Sequence, residues 1–124
     1  MILTVTGDVP SLKNSKQIFY DRKKRKHFIT SSNRYKKWVA EKHGTLFTQF
    51  AGYKITGFPI TVELTFWFSK DIRHDLDNAA GGVMDLLVSE GILPDDNVHY
   101  VEKLILNYGG LDKENPRCEI KFED

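Results

Sequence analysis

The sequence predicts an α+β fold: a small, mostly antiparallel or mixed sheet with two main helices. Three observations predict it. Residues 60 to 68 alternate apolar and polar side chains without interruption, which is the period of a half-buried strand. Apolar residues recur at helical spacing in two stretches, one around residues 35–50 and one around residues 76–89. No repeat, low-complexity tract or linker divides the 124 residues, so one domain spanning 1–124 is expected.

Residues Ile2 to Gly7 read as a first strand, closed by turn formers at Asp8-Val9-Pro10-Ser11. Gln17–Tyr20 and Lys26–Thr30 read as two short strands of a hairpin whose tip carries Arg22, Lys23, Lys24 and Arg25. Such a tip suits a nucleic-acid backbone. A solvated turn that keeps an edge from pairing is the other reading. Ser31-Ser32-Asn33 signals a helix start. Tyr35, Trp38, Val39, Leu46 and Phe50 then mark one amphipathic helix of four to five turns, weakened in the middle by Gly44. Tyr35 and Trp38 lie on its apolar stripe and are assigned to the core rather than to base stacking.

The 60–68 strand is expected to be long and antiparallel, with Ile60, Val62, Leu64, Phe66 and Phe68 inward. A second helix is expected from Asp77 or Asn78 to Ser89, ended by Gly91. Gly81-Gly82 inside it costs helix propensity and points to close packing, a kink or a ligand. Val98–Tyr108 and Arg117–Glu123 alternate and close the sheet, with a surface turn from Gly109 to Pro116 between them.

The composition is that of an ordinary water-soluble protein. It has no apolar run of membrane length and no signal-peptide pattern, and a cytoplasmic location is expected. One cysteine, Cys118, excludes an internal disulfide and a zinc framework. The net charge of +1 hides a division: residues 1–54 hold 12 Lys/Arg against 3 Asp/Glu, and residues 55–124 hold 6 against 14. A basic surface for a polyanion beside an acidic site for a metal accounts for this, as does mutual neutralisation of the halves.

The acidic half has two foci. Arg73-His74-Asp75-Leu76-Asp77-Asn78 opens the second helix, and Asp95-Asp96-Asn97 follows its end. Crowded carboxylates repel and resist desolvation. A cation among them removes that cost, and Mg²⁺ suits hard oxygen ligands. In an extended lead-in, Asp75 and Asp77 share a side. For Asp95 and Asp96 to join them, the chain must fold back along the helix, and a strand paired with 60–68 could carry it. Each acid also has an ordinary structural reading: helix N-cap for Asp75 or Asp77, exposed turn for Asp95-Asp96.

Asp75-Leu76-Asp77-Asn78, the helix ending near Glu90-Gly91, and Leu93-Pro94-Asp95-Asp96-Asn97-Val98 resemble the RusA family of Holliday-junction resolvases. The opening Val9-Pro10-Ser11-Leu12-Lys13-Asn14-Ser15 is a weaker match. The resemblance implies a homodimeric, Mg²⁺-dependent endonuclease of bacterial, phage or prophage origin, serving DNA recombination and repair by cutting four-way junctions. Carried over by position, its essential carboxylates are Asp75, Asp77 and Asp96, with Asp95 an adjacent ligand. The family's helix lysine, four residues after the second aspartate, is replaced here by Gly81. Lys13, Lys16, Lys70 and Arg73 are the cations that could stand in.

The expected activity is metal-dependent phosphodiester hydrolysis in branched DNA, with Mg²⁺ or Mn²⁺ held by Asp75, Asp77, Asp96 and Asp95 and water as nucleophile. No organic cofactor and no membrane partner are expected. Lys13, Lys16, Arg22, Lys23, Lys24, Arg25, Lys26, Arg34 and Arg73 would hold backbone phosphates. The rival expectation is a junction- or single-strand-binding protein of the same fold that does not cut.

Overall fold

The computed structural model of the chain describes residues 1–10, 16–21, 26–31 and 33–123, with backbone only for 16–21, 26–31 and 33. Its elements are β1 (Ile2–Thr6), β2 (Lys16–Asp21), β3 (Lys26–Ser31), α1 (Asn33–Lys42), α2 (Thr45–Phe50), β4 (Ile60–Phe68), α3 (Leu76–Ser89), β5 (Val101–Leu111) and β6 (Arg117–Glu123). The fold is α+β, with a four-stranded mixed sheet in the order β1-β6-β4-β5 and a separate hairpin of β2 and β3.

Strand β4 is the centre of the molecule. Its odd and even positions divide as the alternation predicts: Ile60, Val62, Leu64, Phe66 and Phe68 are all buried, and the residues between them are half-buried. That inner face joins Ala79, Ala80, Val83, Met84, Leu86 and Leu87 of α3 in one core, along with Tyr35 and Trp38 of α1. Both aromatics are core residues, as their place on the stripe requires. Cys118 is fully buried in the same core, and burial pushes its thiol pKa far up.

The structure differs from expectation at several points. The helix over 33–50 is two helices, because Gly44 takes a left-handed conformation (φ 82°) between α1 and α2. The break gives α2 a role of its own. Gln49 accepts from Thr4 N at 2.7 Å and donates to Thr4 O at 2.8 Å, covering the free edge of β1. The long helix α3 begins at Leu76, a residue earlier than expected. Strand β5 runs from Val101 to Leu111, so Val98 to Tyr100 precede it as a turn, Gly109 to Leu111 belong to it, and only the residues after them turn. Strand β4 is antiparallel to β6 but parallel to β5. A parallel neighbour needs a crossover, and α3 is that crossover.

Gly82 shows why a glycine stands inside α3. A Cβ there would lie 3.4 Å from Tyr35 Cε2 and 3.6 Å from Trp38 Cζ3, so the helix meets α1 at contact distance. Gly82→Ala just fits and gains about 1 kcal/mol of helix propensity. Gly82→Leu drives further carbons into both rings and costs about 1–3 kcal/mol. Thermal melts should therefore move up for the first variant and down for the second.

Tyr35 also reports on this interface. Its hydroxyl lies 3.5 Å from Asp85 Oδ2. Burial first, then the Asp85 charge, push its pKa from 10.0 up to about 12. The folded chain therefore holds this proton more tightly than the unfolded chain does. The stabilisation is complete below pH 10 and is lost as pH rises towards 12. Melting temperature should fall across that window, and Tyr35→Phe should flatten the fall.

Candidate active site

The site is built where β4 ends and α3 begins. Asp75 is the N-cap residue of α3, in extended conformation (φ −103°, ψ 118°), and Asp77 lies in the first turn. Unpaired backbone N–H groups at a helix N-terminus favour negative charge there. Asp75 makes no side-chain cap bond. Instead its Oδ2 accepts from Asn78 Nδ2 at 3.3 Å, and its Oδ1 lies 3.6 Å from Arg73 Nε. Asn78 is buried, so the amide holds one face of the carboxylate from inside and leaves the other to solvent. Asp77 is exposed, and among the described residues nothing hydrogen-bonds its carboxylate.

A cavity of about 330 Å³ opens at Asp75. Val9, Phe68, His74 and Asn78 line it with Asp75 and Arg73. The His74 ring lies flat on Phe68, with centroids 3.8 Å apart and planes 5° apart. Phe68 is itself buried, so the lead-in to α3 rests on the core. Val9 arrives because Asp8 accepts hydrogen bonds from Ser69 N at 2.9 Å and from Ser69 Oγ, tying the exit of β1 to the exit of β4. Phe68, His74, Asn78 and Val9 were not among the expected site residues. Asn78 carried a signal as the last residue of the acidic motif. Phe68 carried none beyond its apolar periodicity, and Val9 none beyond its place in the turn after the first strand and in the weaker family match.

Asp95 and Asp96 are elsewhere. Parallel register pairs Ile60 with Val101, so β5 starts beside the start of β4. The 95–97 turn therefore sits at the entry end of β4, and Asp75 sits past its exit end. The 14 residues of α3 span about 21 Å between them. Among the described residues no group of three or more His, Cys, Asp and Glu could hold an ion. The return strand exists, but within one chain it does not gather the acids.

The two acids of this turn differ in what they have free. Asp95 spends both oxygens locally, accepting from Asp96 N at 2.7 Å and from Asn97 Nδ2 at 3.3 Å. Asp96 is exposed, and among the described residues no partner takes its carboxylate.

Of the expected phosphate-binding cations, Lys13, Arg22, Lys23, Lys24 and Arg25 lie outside the described residues. Lys16 and Lys26 are described in backbone only, at the ends of the paired β2 and β3. Arg34 is exposed at the start of α1, where it lines a shallow cavity with Lys37 and Trp38. Arg73 is exposed at the mouth of the Asp75 cavity. Among the described residues it is the one cation of the four expected substitutes that lines this cavity. No described helix is long and apolar enough to cross a membrane.

The family model described as Endodeoxyribonuclease RusA matches residues 8–123. No curated protein matches the chain.

Proposed function

The chain belongs to the RusA endodeoxyribonuclease family, and from that premise we propose that it cuts four-way DNA junctions, as a homodimer, with a divalent cation. The observation that carries this reading is Asp75. Its carboxylate is held by a buried amide at a helix N-terminus and lines a cavity, and Asp77, which is not in that lining, follows in the first turn.

The donors fit the cation. Asp75 and Asp77 offer hard oxygens from one turn, and Mg²⁺ is commonly held by one or two carboxylates plus substrate phosphate and water. When bound there, Mg²⁺ or Mn²⁺ supplies charge neutralisation at the phosphate and lowers the pKa of water. The protein's own groups do the rest. Asn78 keeps Asp75 turned toward the cavity. Arg73, 3.6 Å from Asp75, takes the charge-stabilising place of the helix lysine that Gly81 lacks.

Asp96 cannot reach this site within its own chain, so it comes from a second copy. A two-fold dimer then makes two equivalent sites, each with Asp75 and Asp77 of one protomer and Asp96 of the other. Asp96 fits this task better than Asp95, because Asp95 is held in its own turn by two local hydrogen bonds. Lys13, Lys16, the Arg22–Lys26 tip and Arg34 hold backbone phosphates, which sets position rather than sequence. One domain over 1–124, acting in the cytoplasm of a bacterium or phage-infected cell, completes the reading.

A labelled four-way junction tests it. Paired cuts should appear with Mg²⁺ or Mn²⁺ and disappear with EDTA. Gly81 favours one other reading, a junction-binding protein that does not cut. Tight, salt-sensitive binding with no cutting in either metal would decide for that.

A further inference from the structure

We propose that a second cavity, beside the Asp75 cavity, seats one unstacked nucleobase of the DNA next to the cleaved phosphate. The proposal rests on the nuclease reading and adds a ligand subsite to it.

The second cavity has a volume of about 280 Å³ and is walled by Phe68, Ile72, His74, Leu76 and Tyr108, together with the charged Asp71 and Arg73. It shares Phe68, Arg73 and His74 with the cavity that Asp75 lines. The two spaces are therefore adjacent, with Asp75 and Asn78 in the lining of one and Ile72 and Tyr108 in that of the other. The volume is a little below the ~300 Å³ at which small-molecule sites begin, which suits a single ring system.

Its aromatic groups are arranged as a platform. His74 stacks on Phe68, and the Tyr108 ring stands 6.2 Å from Phe68 at 30°. Tyr108 is 56% exposed and Ile72 is 62% exposed, so the platform presents bare ring and aliphatic surface. A β-bulge follows Tyr108 directly: Phe66 pairs with Tyr108, Trp67 pairs with Gly110, and Gly109 is left over. Bulges re-aim side chains beside active sites. Gly109 also admits the Trp67 ring, which a Cβ would meet at 2.4 Å, so the bulge is locked by packing on the opposite sheet face.

Aromatic rings recognise a base by its face rather than its edge. Removing a base from a duplex costs stacking on both sides, and the cost is least where stacking is already broken. Bases at a branch point meet that condition. Seating one beside the scissile phosphate therefore favours branched DNA over plain duplex, with a mild preference set by stacking strength.

The test uses the full chain and four-way junctions with 2-aminopurine or an abasic residue placed in turn at each position flanking the branch point. With EDTA present, binding of wild-type protein should change the 2-aminopurine signal, and Tyr108→Ala should abolish the change while binding persists. With Mg²⁺, Tyr108→Ala and the abasic residue should each slow cutting by roughly tenfold. Combined, they should slow it no further, because both remove one contact.

Wild-type cutting by Tyr108→Ala, or slowing that multiplies in the combination, overturns the seat and leaves the nuclease reading standing. A loss of dimer mass in Tyr108→Ala would assign this surface to a second copy and also overturns it. Wild-type protein that binds but never cuts sinks the nuclease reading alone, and the EDTA fluorescence still decides the seat. No DNA binding sinks both.

Discussion

Protein carrying Asp75→Asn, mixed with protein carrying Asp96→Asn, should cut junctions that neither variant cuts alone. In the proposed dimer, each variant by itself would lose one of the metal-binding carboxylates from both sites. The expected loss is about a thousandfold or more, roughly 4 kcal/mol of transition-state stabilisation. Asn keeps the shape and removes the charge, so junction binding by the basic surface persists. In a mixed dimer the two substitutions fall together in one site and leave the other whole. Random exchange makes about half the dimers mixed, so roughly a quarter of wild-type sites return. These intact sites act singly, so nicks should replace paired cuts. If Asp75 and Asp96 served one site within a chain, every site in the mixture would lack one of them, and no activity would return. The experiment thus reads whether the Asp75 and Asp96 of one site come from different chains.

Phe68→Ala should lower the melting temperature by roughly 10–20 °C, which corresponds to about 3–5 kcal/mol for loss of a buried Phe side chain. Phe68 is 1% exposed and lies 6.0 Å from Phe66 in a parallel stack. It has a second role that Phe66 lacks, because His74 rests on it. Without that floor the lead-in to Asp75 loses its fixed path. Phe66→Ala is the control: it leaves a comparable void but touches neither cavity. Assayed where both variants remain folded, Phe68→Ala should cut far more slowly than Phe66→Ala. Equal rates would mean that Phe68 matters for stability alone.

Much of this architecture was legible from residue order. The alternation over 60–68 is a local property, and β4 keeps it residue for residue. The stripe Leu76, Ala79, Ala80, Val83, Leu86, Leu87 marks the inward face of α3 for the same reason, since side-chain direction follows backbone period. Close packing, one of the readings of Gly81-Gly82, is what the structure has at Gly82, against Tyr35 and Trp38. The break at Gly44 was half-visible. A glycine lowers helix propensity anywhere, but only packing decides whether it bends, weakens or ends the helix.

The sequence alone determined the α+β class, the inward faces of β4 and α3, and the chemistry on offer: paired acids at a helix start and a basic half for a polyanion. These follow from short-range periodicity, charge and capping, which neighbouring residues decide among themselves. Tertiary structure decided what lies beside what. It turned β5 parallel to β4, which carried Asp96 to the far end of α3 from Asp75. It also brought Phe68 under His74, and Asn78 against Asp75. Pairing direction and long-range contact depend on how whole elements pack and on loop closure between distant residues, and no local pattern encodes them.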